Sequence, residues 1–139
     1  MNLEVLDRYQ PQALAVLRIV TALAFMAHGT QKMFGFPASQ MGGGGFVLFS
    51  LMGLAAVLEV FGGLAILAGF LTRPVAFVLA GEMAYAYWLM HVPMGGNIIP
   101  VANGGDAAVL FCFVFLYLVF AGPGAWSADG LRAAKPATA

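Results

Sequence analysis

Apolar residues run along the chain in long, nearly unbroken blocks, with most polar residues gathered between them. No block alternates with a period of two, so the pattern predicts helices rather than strands. A membrane-crossing helix takes about 20 residues to cover roughly 30 Å of hydrocarbon. Four blocks come near that length, at about 14–33, 46–70, 75–92 and 106–121.

The punctuation between the blocks agrees with this division. Gly35-Phe36-Pro37 and the run from Gly42 to Gly45 separate the first two. Thr72-Arg73-Pro74 makes a very tight link, with Pro74 acceptable in the first turn of the third helix. Pro93 to Gly105 reads as the third loop, and Gly122-Pro123-Gly124 stops the fourth helix. On the second block Ala55, Glu59, Gly62, Ile66 and Gly69 follow a three-and-four spacing. Small residues on such a face let a neighbouring backbone approach closely. Ala76, Ala80 and Ala84 repeat the device on the third block.

Composition narrows the solvent to lipid. Hydrophobic residues make up 62% of the 139 positions and charged residues 9%, against about 25% charged in a soluble domain. The fold expected is all-α, an integral membrane four-helix bundle forming a single transmembrane domain over 1–139. A formal net charge of zero offers no basic patch for nucleic acid. Cys112 is the one cysteine and lies in an apolar run, so the chain cannot form an internal disulfide or a Cys-x-x-Cys pair. The first residues carry Glu4 and Asp7 rather than a basic cluster, which predicts a retained helix and not a cleaved leader.

Four spans would put the N-terminus, the second loop and the C-terminus on one side. That side holds Arg8, Arg73, Arg132 and Lys135, with Arg18 nearby, while Lys32 stands opposite. The excess of basic residues predicts that both termini are cytoplasmic, in a bacterial-type inner membrane.

Ionisable residues within the blocks are the candidate chemistry, since charge at that depth is costly and usually partnered. At 1.5 Å per residue from the basic end, Arg18 falls at roughly 6 Å, Glu82 at roughly 10 Å and Glu59 at roughly 16 Å. These three form an inner group in which a guanidinium could bridge two carboxylates. Such a group either fixes helix packing or carries protons or a small polar ligand. An outer group comprises His28, Lys32, His91 and Asp106. Its plain account is capping of the fourth helix by Asp106 and solvation at the interface. Its sharper account is a ligand site, for a quinone headgroup or for a metal held by the histidines, although no helix carries a metal-ligand spacing. Met26, Met33, Met41, Met90 and Met94 are either core filler or soft ligands for Cu(I). Haem would rest on His28 and His91 alone.

Several stretches together resemble one known family. Leu17-Arg18-Ile19, then His28-Gly29 and Lys32-Met33-Phe34-Gly35, is similar to the first helix of DoxX proteins. Glu59-Val60-Phe61-Gly62-Gly63 and Gly69 through Pro74 resemble their second helix and the turn after it. Asn103-Gly104-Gly105-Asp106 matches the start of their last helix, with Asp where Glu is common. Gly122 through Asp129 resembles the closing Gly-Pro-Gly and Ser-x-Asp signature. The resemblance implies a four-helix membrane protein, and for some members a link to sulfur, quinone or oxidative-stress chemistry through partner proteins. The leading expectation is therefore a membrane subunit or anchor for a redox partner, with quinone as the candidate cofactor and no catalytic residue assigned. The alternative is a small carrier of protons, metal ions or an apolar metabolite, which four helices would accomplish as a homo-oligomer.

Overall fold

The computed structural model describes residues 3–38 and 46–134. Met41, the Gly42 to Gly45 run and Lys135 lie outside the described residues. Among those described every regular element is helical. A short 3₁₀ segment, Leu3–Tyr9, leads into α1 (Gln10–Phe34), followed by α2 (Leu51–Ala68) and α3 (Thr72–Gly95). A one-turn α4 (Pro100–Asn103) precedes α5 (Asp106–Ala121) and a short α6 (Ala128–Ala133).

By length and composition α1, α2 and α3 can each cross a membrane, whereas α5 is apolar but has 16 residues. α1 begins before the predicted Leu14, because Pro11 at the helix start tolerates its missing N–H. α2 starts later than Phe46, where Ser50 caps it by accepting from the Gly53 N–H at 3.0 Å. α3 runs past Pro93, which was expected to open a loop. A π-helical turn over Ala86–His91 precedes that proline, and its wider spacing accommodates the ring and the lost hydrogen bond. The residues after Trp126 read as a polar tail, yet they fold as α6 with Ser127 as its cap.

α1 packs chiefly on α2, and α3 on α5. The two pairs meet over a core that includes Phe25, Ile66, Leu79, Met83, Phe115 and Leu118. Phe25 sets its ring edge-on to Phe115, with centroids 4.8 Å apart. Large apolar side chains such as Leu23, Phe61, Phe77, Phe113 and Phe120 cover the outside. An exterior this apolar is matched to lipid rather than water.

The buried positions of α2 are Gly53, Ala56, Glu59, Gly63, Ile66 and Gly69, while Ala55 and Gly62 are half-buried beside them. A second π-helical turn, Leu58–Gly62, rotates the face by part of a residue at Glu59. Gly62 instead meets α3, where an added Cβ would lie 2.8 Å from a methyl of Leu79.

Candidate functional site

Close approach of α1 and α2 places the first pair of charges. A Cβ on Gly29 would stand 2.9 Å from the Glu59 Cβ and from the Val60 nitrogen, so only glycine lets the backbones come this near. Glu59 points from its π-helical turn toward α1 with its side chain 3% exposed. Lys32, in the last turn of α1, donates to Glu59 Oε1 at 2.5 Å and is itself 30% exposed. The other carboxylate oxygen, Oε2, has no hydrogen-bond partner among the described residues.

Glu82 approaches from α3. Both its carboxylate oxygens are buried and neither has a hydrogen-bond partner among the described residues. It lies within electrostatic reach of Glu59 and Lys32, and His28 lies within reach of Glu59. His28 also sets its ring edge-on to Phe111, with centroids 5.7 Å apart. The resulting group is Lys32, Glu59 and Glu82, with His28 at its edge.

Arg18 does not join the glutamates. It is fully buried, and all its hydrogen bonds go to backbone carbonyls. Nε donates to Pro123 O at 2.7 Å, and Nη1 to Ile66 O at 2.8 Å and Leu67 O at 2.5 Å. Nη2 donates to Ala125 O at 3.2 Å and Trp126 O at 2.9 Å. Five N–H groups thereby meet five carbonyls, which is the full capacity of a guanidinium. Two of those carbonyls end α2, where a helix leaves its last C=O groups unpaired.

The same end is closed by other caps. Asp129 accepts from the Leu71 N–H at 2.9 Å and the Thr72 N–H at 2.8 Å, at the start of α3. Burial opposes the Asp129 charge, but the two backbone donors, together with the Thr72 side chain and nearby Arg132, outweigh it and hold the carboxyl below the usual carboxylate range. Arg73 donates to Val119 O and Phe120 O, both at 2.7 Å, and so caps α5. Gly124, at φ +69°, presses against Pro11 O, and a Cβ there would come within 2.7 Å of it. The closing Gly-Pro-Gly and Ser-x-Asp stretch is thus the lock on this end of the bundle.

The outer group predicted from sequence is only partly assembled. Lys32 turns inward to Glu59 rather than outward. Asp106 is exposed in the first turn of α5, whose N-cap is Gly105, and the Gly105 N–H is taken by Asn103 Oδ1 at 2.8 Å. His91 ends the π-helical turn of α3, half-buried. Among the described residues no three His, Cys, Asp or Glu side chains are grouped to hold a metal ion.

The DoxX family profile matches residues 13–92, a stretch that contains Arg18, Gly29, Lys32, Glu59 and Glu82. The chain belongs to the DoxX family. It is 46% identical over 125 residues to an uncharacterized protein of Haemophilus influenzae, covering 89% of this chain and 93% of that one. It is 35% identical over 121 residues to inner membrane protein YqjF of Escherichia coli, covering 84% and 88%. A membrane protein of Mycobacterium tuberculosis is 29% identical over 143 residues, covering 93% and 86%. No solved structure matches the chain. This DoxX protein is a multi-pass protein of the cytoplasmic membrane. The lock formed by Pro123 to Asp129 lies beyond the matched stretch, yet it completes the hydrogen bonding of Arg18 inside it.

Proposed function

We propose that this DoxX protein is a membrane subunit supporting a redox partner, and that Lys32, Glu59 and Glu82 form the polar station for the headgroup of a quinone-class molecule. One observation carries the reading: beside the Lys32–Glu59 ion pair three buried carboxylate oxygens of Glu59 and Glu82 have no hydrogen-bond partner among the described residues, inside an otherwise apolar bundle. Polar groups at that depth are costly and are commonly functional.

The donor set suits both oxidation states of such a headgroup. The Lys32 ammonium can donate to a carbonyl oxygen, and the free oxygens of Glu59 and Glu82 can accept from hydroxyls. A quinone supplies electron and proton transfer when bound. An apolar groove between α3 and α5, lined by Phe77, Ala80, Gly81, Ala84, Cys112 and Leu116, suits a hydrocarbon tail. With one cysteine the chain has no dithiol of its own, so electrons would enter through the partner.

We read α5 as a fourth, short span and both termini as cytoplasmic. Support comes from the Ala125 N–H, which donates to Pro11 O at 2.9 Å and ties the two terminal regions together. Arg8 before α1, Arg73 in the first turn of α3 and Arg132 in α6 belong to the elements of that end. Such an excess of basic residues is what the positive-inside rule associates with a cytoplasmic face.

Native mass spectrometry on protein extracted in mild detergent from its own membrane tests the reading. A co-purifying redox protein or quinone is expected, with the quinone lost in Lys32→Met. A bare homo-oligomer without bound quinone would sink it and favour a carrier, to be assayed by gradient-driven flux in proteoliposomes.

A further inference from the structure

The geometry points to a proton-binding site shared by Glu59 and Glu82, in which Lys32 holds one carboxylate as the anion and the pair keeps one proton between them. It rests on the reading above for the position of the site, and not on the presence of a quinone.

Counting charge leads there. α2 contributes Glu59 and α3 contributes Glu82, while α1 contributes Lys32 as the ammonium in contact and His28 at the edge. α5 turns Ala108, Phe111, Cys112 and Phe115 toward the core, and its Asp106 is exposed. On the core side of α3 the Tyr87 hydroxyl is occupied in donating to Ile98 O, Thr72 lies at the far end of the helix beside Asp129, and His91 is half-buried at the end of the π-helical turn. Two carboxylates against one ammonium leave one negative charge in excess. A medium with no water to solvate it does not tolerate that excess.

Hydrogen bonding gives the same count independently. Lys32 satisfies Glu59 Oε1 and leaves three acceptors, Glu59 Oε2 and both oxygens of Glu82, with no donor among the described residues. A proton supplies the missing charge and also turns one acceptor into a donor. An O–H bond then forms on one carboxyl, and the other stays the anion that balances Lys32. Uptake takes the proton from water and release returns it there, with no other bond made or broken. The exchange route is legible in the exposures. Lys32 is 30% exposed and Glu59 is 3% exposed behind it, so displacement of the ammonium uncovers the Glu59 carboxyl.

The test is infrared spectroscopy of the full chain in lipid nanodiscs, with carbon-13 in its glutamates so that their bands stand apart from aspartate. At neutral pH and without added quinone, one isotope-shifted carboxylic acid C=O band is expected, and Glu82→Gln should abolish it. Lys32→Met should move the spectrum the opposite way, because neither carboxyl then has a counter-charge and the band roughly doubles. Absence of the band from the wild-type protein would overturn the proposal even if a variant failed to fold. So would a band that survives Glu82→Gln, or one that disappears on adding sodium at constant pH, which would assign the charge to a metal cation. Loss of quinone binding with the band intact would count against the earlier reading alone.

Discussion

The two ends of the bundle meet the same difficulty, charge buried in an apolar medium, in different ways. At one end Arg18 matches five N–H groups to five carbonyls. Some 14 residues further along α1, about 21 Å of helix, Lys32 satisfies one carboxylate oxygen, and three others have no donor among the described residues. A network filled to capacity has no further partner to offer, so it holds the fold. A network left short can still take something up. Burial alone therefore does not identify a functional charge, and the balance of donors and acceptors around it is the better guide.

The hardest way to break this contrast is at the saturated end. Arg18→Lys keeps the charge but supplies three donors in place of a planar fork of five. At least two carbonyls then lose their donor, and the expected loss is on the order of 4 kcal/mol. Unfolding in a mixed detergent series, followed by helical circular dichroism, reads it. A variant as stable as the parent would show that water or lipid headgroups can stand in for the guanidinium.

A milder perturbation of the same end is Asp129→Ala, which removes both caps at the start of α3 and should cost about 1 kcal/mol. Its pH dependence has a definite sign. Because the folded carboxyl titrates below its unfolded value, its contribution is present above roughly pH 4 and fades as pH falls through the folded value. Thermal midpoints of parent and variant should differ near neutrality and converge in acid. Parallel curves over that interval would remove Asp129 from the account.

The smallest effect is expected at the unsaturated end. Glu82→Gln is nearly isosteric and removes a carboxyl that has no ionic partner, so stability should stay within about 0.5 kcal/mol. A loss comparable to that of Arg18→Lys would mean that this end is also structural, and the contrast would fail.

The three long apolar helices were legible because long apolar blocks report lipid directly, and the shorter helix Asp106–Ala121 begins and ends where its Gly neighbours indicate. Lys32, Glu59 and Glu82 stand out in the sequence as ionisable groups within apolar blocks, but nothing in the sequence shows which of them pair. Arg18 was grouped with Glu59 and Glu82 by depth, yet its partners are carbonyls of Ile66, Leu67, Pro123, Ala125 and Trp126. Backbone acceptors exist at every residue and leave no mark in a sequence. Depth along the backbone puts Lys32 with the outer residues. Its stem carries the ammonium inward to Glu59 instead of out to the interface, the more usual course near a helix end. The two π-helical turns, at Glu59 in α2 and before Pro93 in α3, likewise leave no mark in the pattern of apolar blocks.

Arg18 also has a place in the order of synthesis. It enters the membrane with the first helix, while Ala125 and Trp126 lie 107 and 108 residues further on. Chains emerge from the N-terminus onward at about 5–20 residues per second, so the guanidinium waits for seconds with part of its fork open. Only a chain completed through its closing segment can silence that charge. A chain that stops short of Pro123 leaves three of the five guanidinium N–H groups without the acceptors they have in the complete fold.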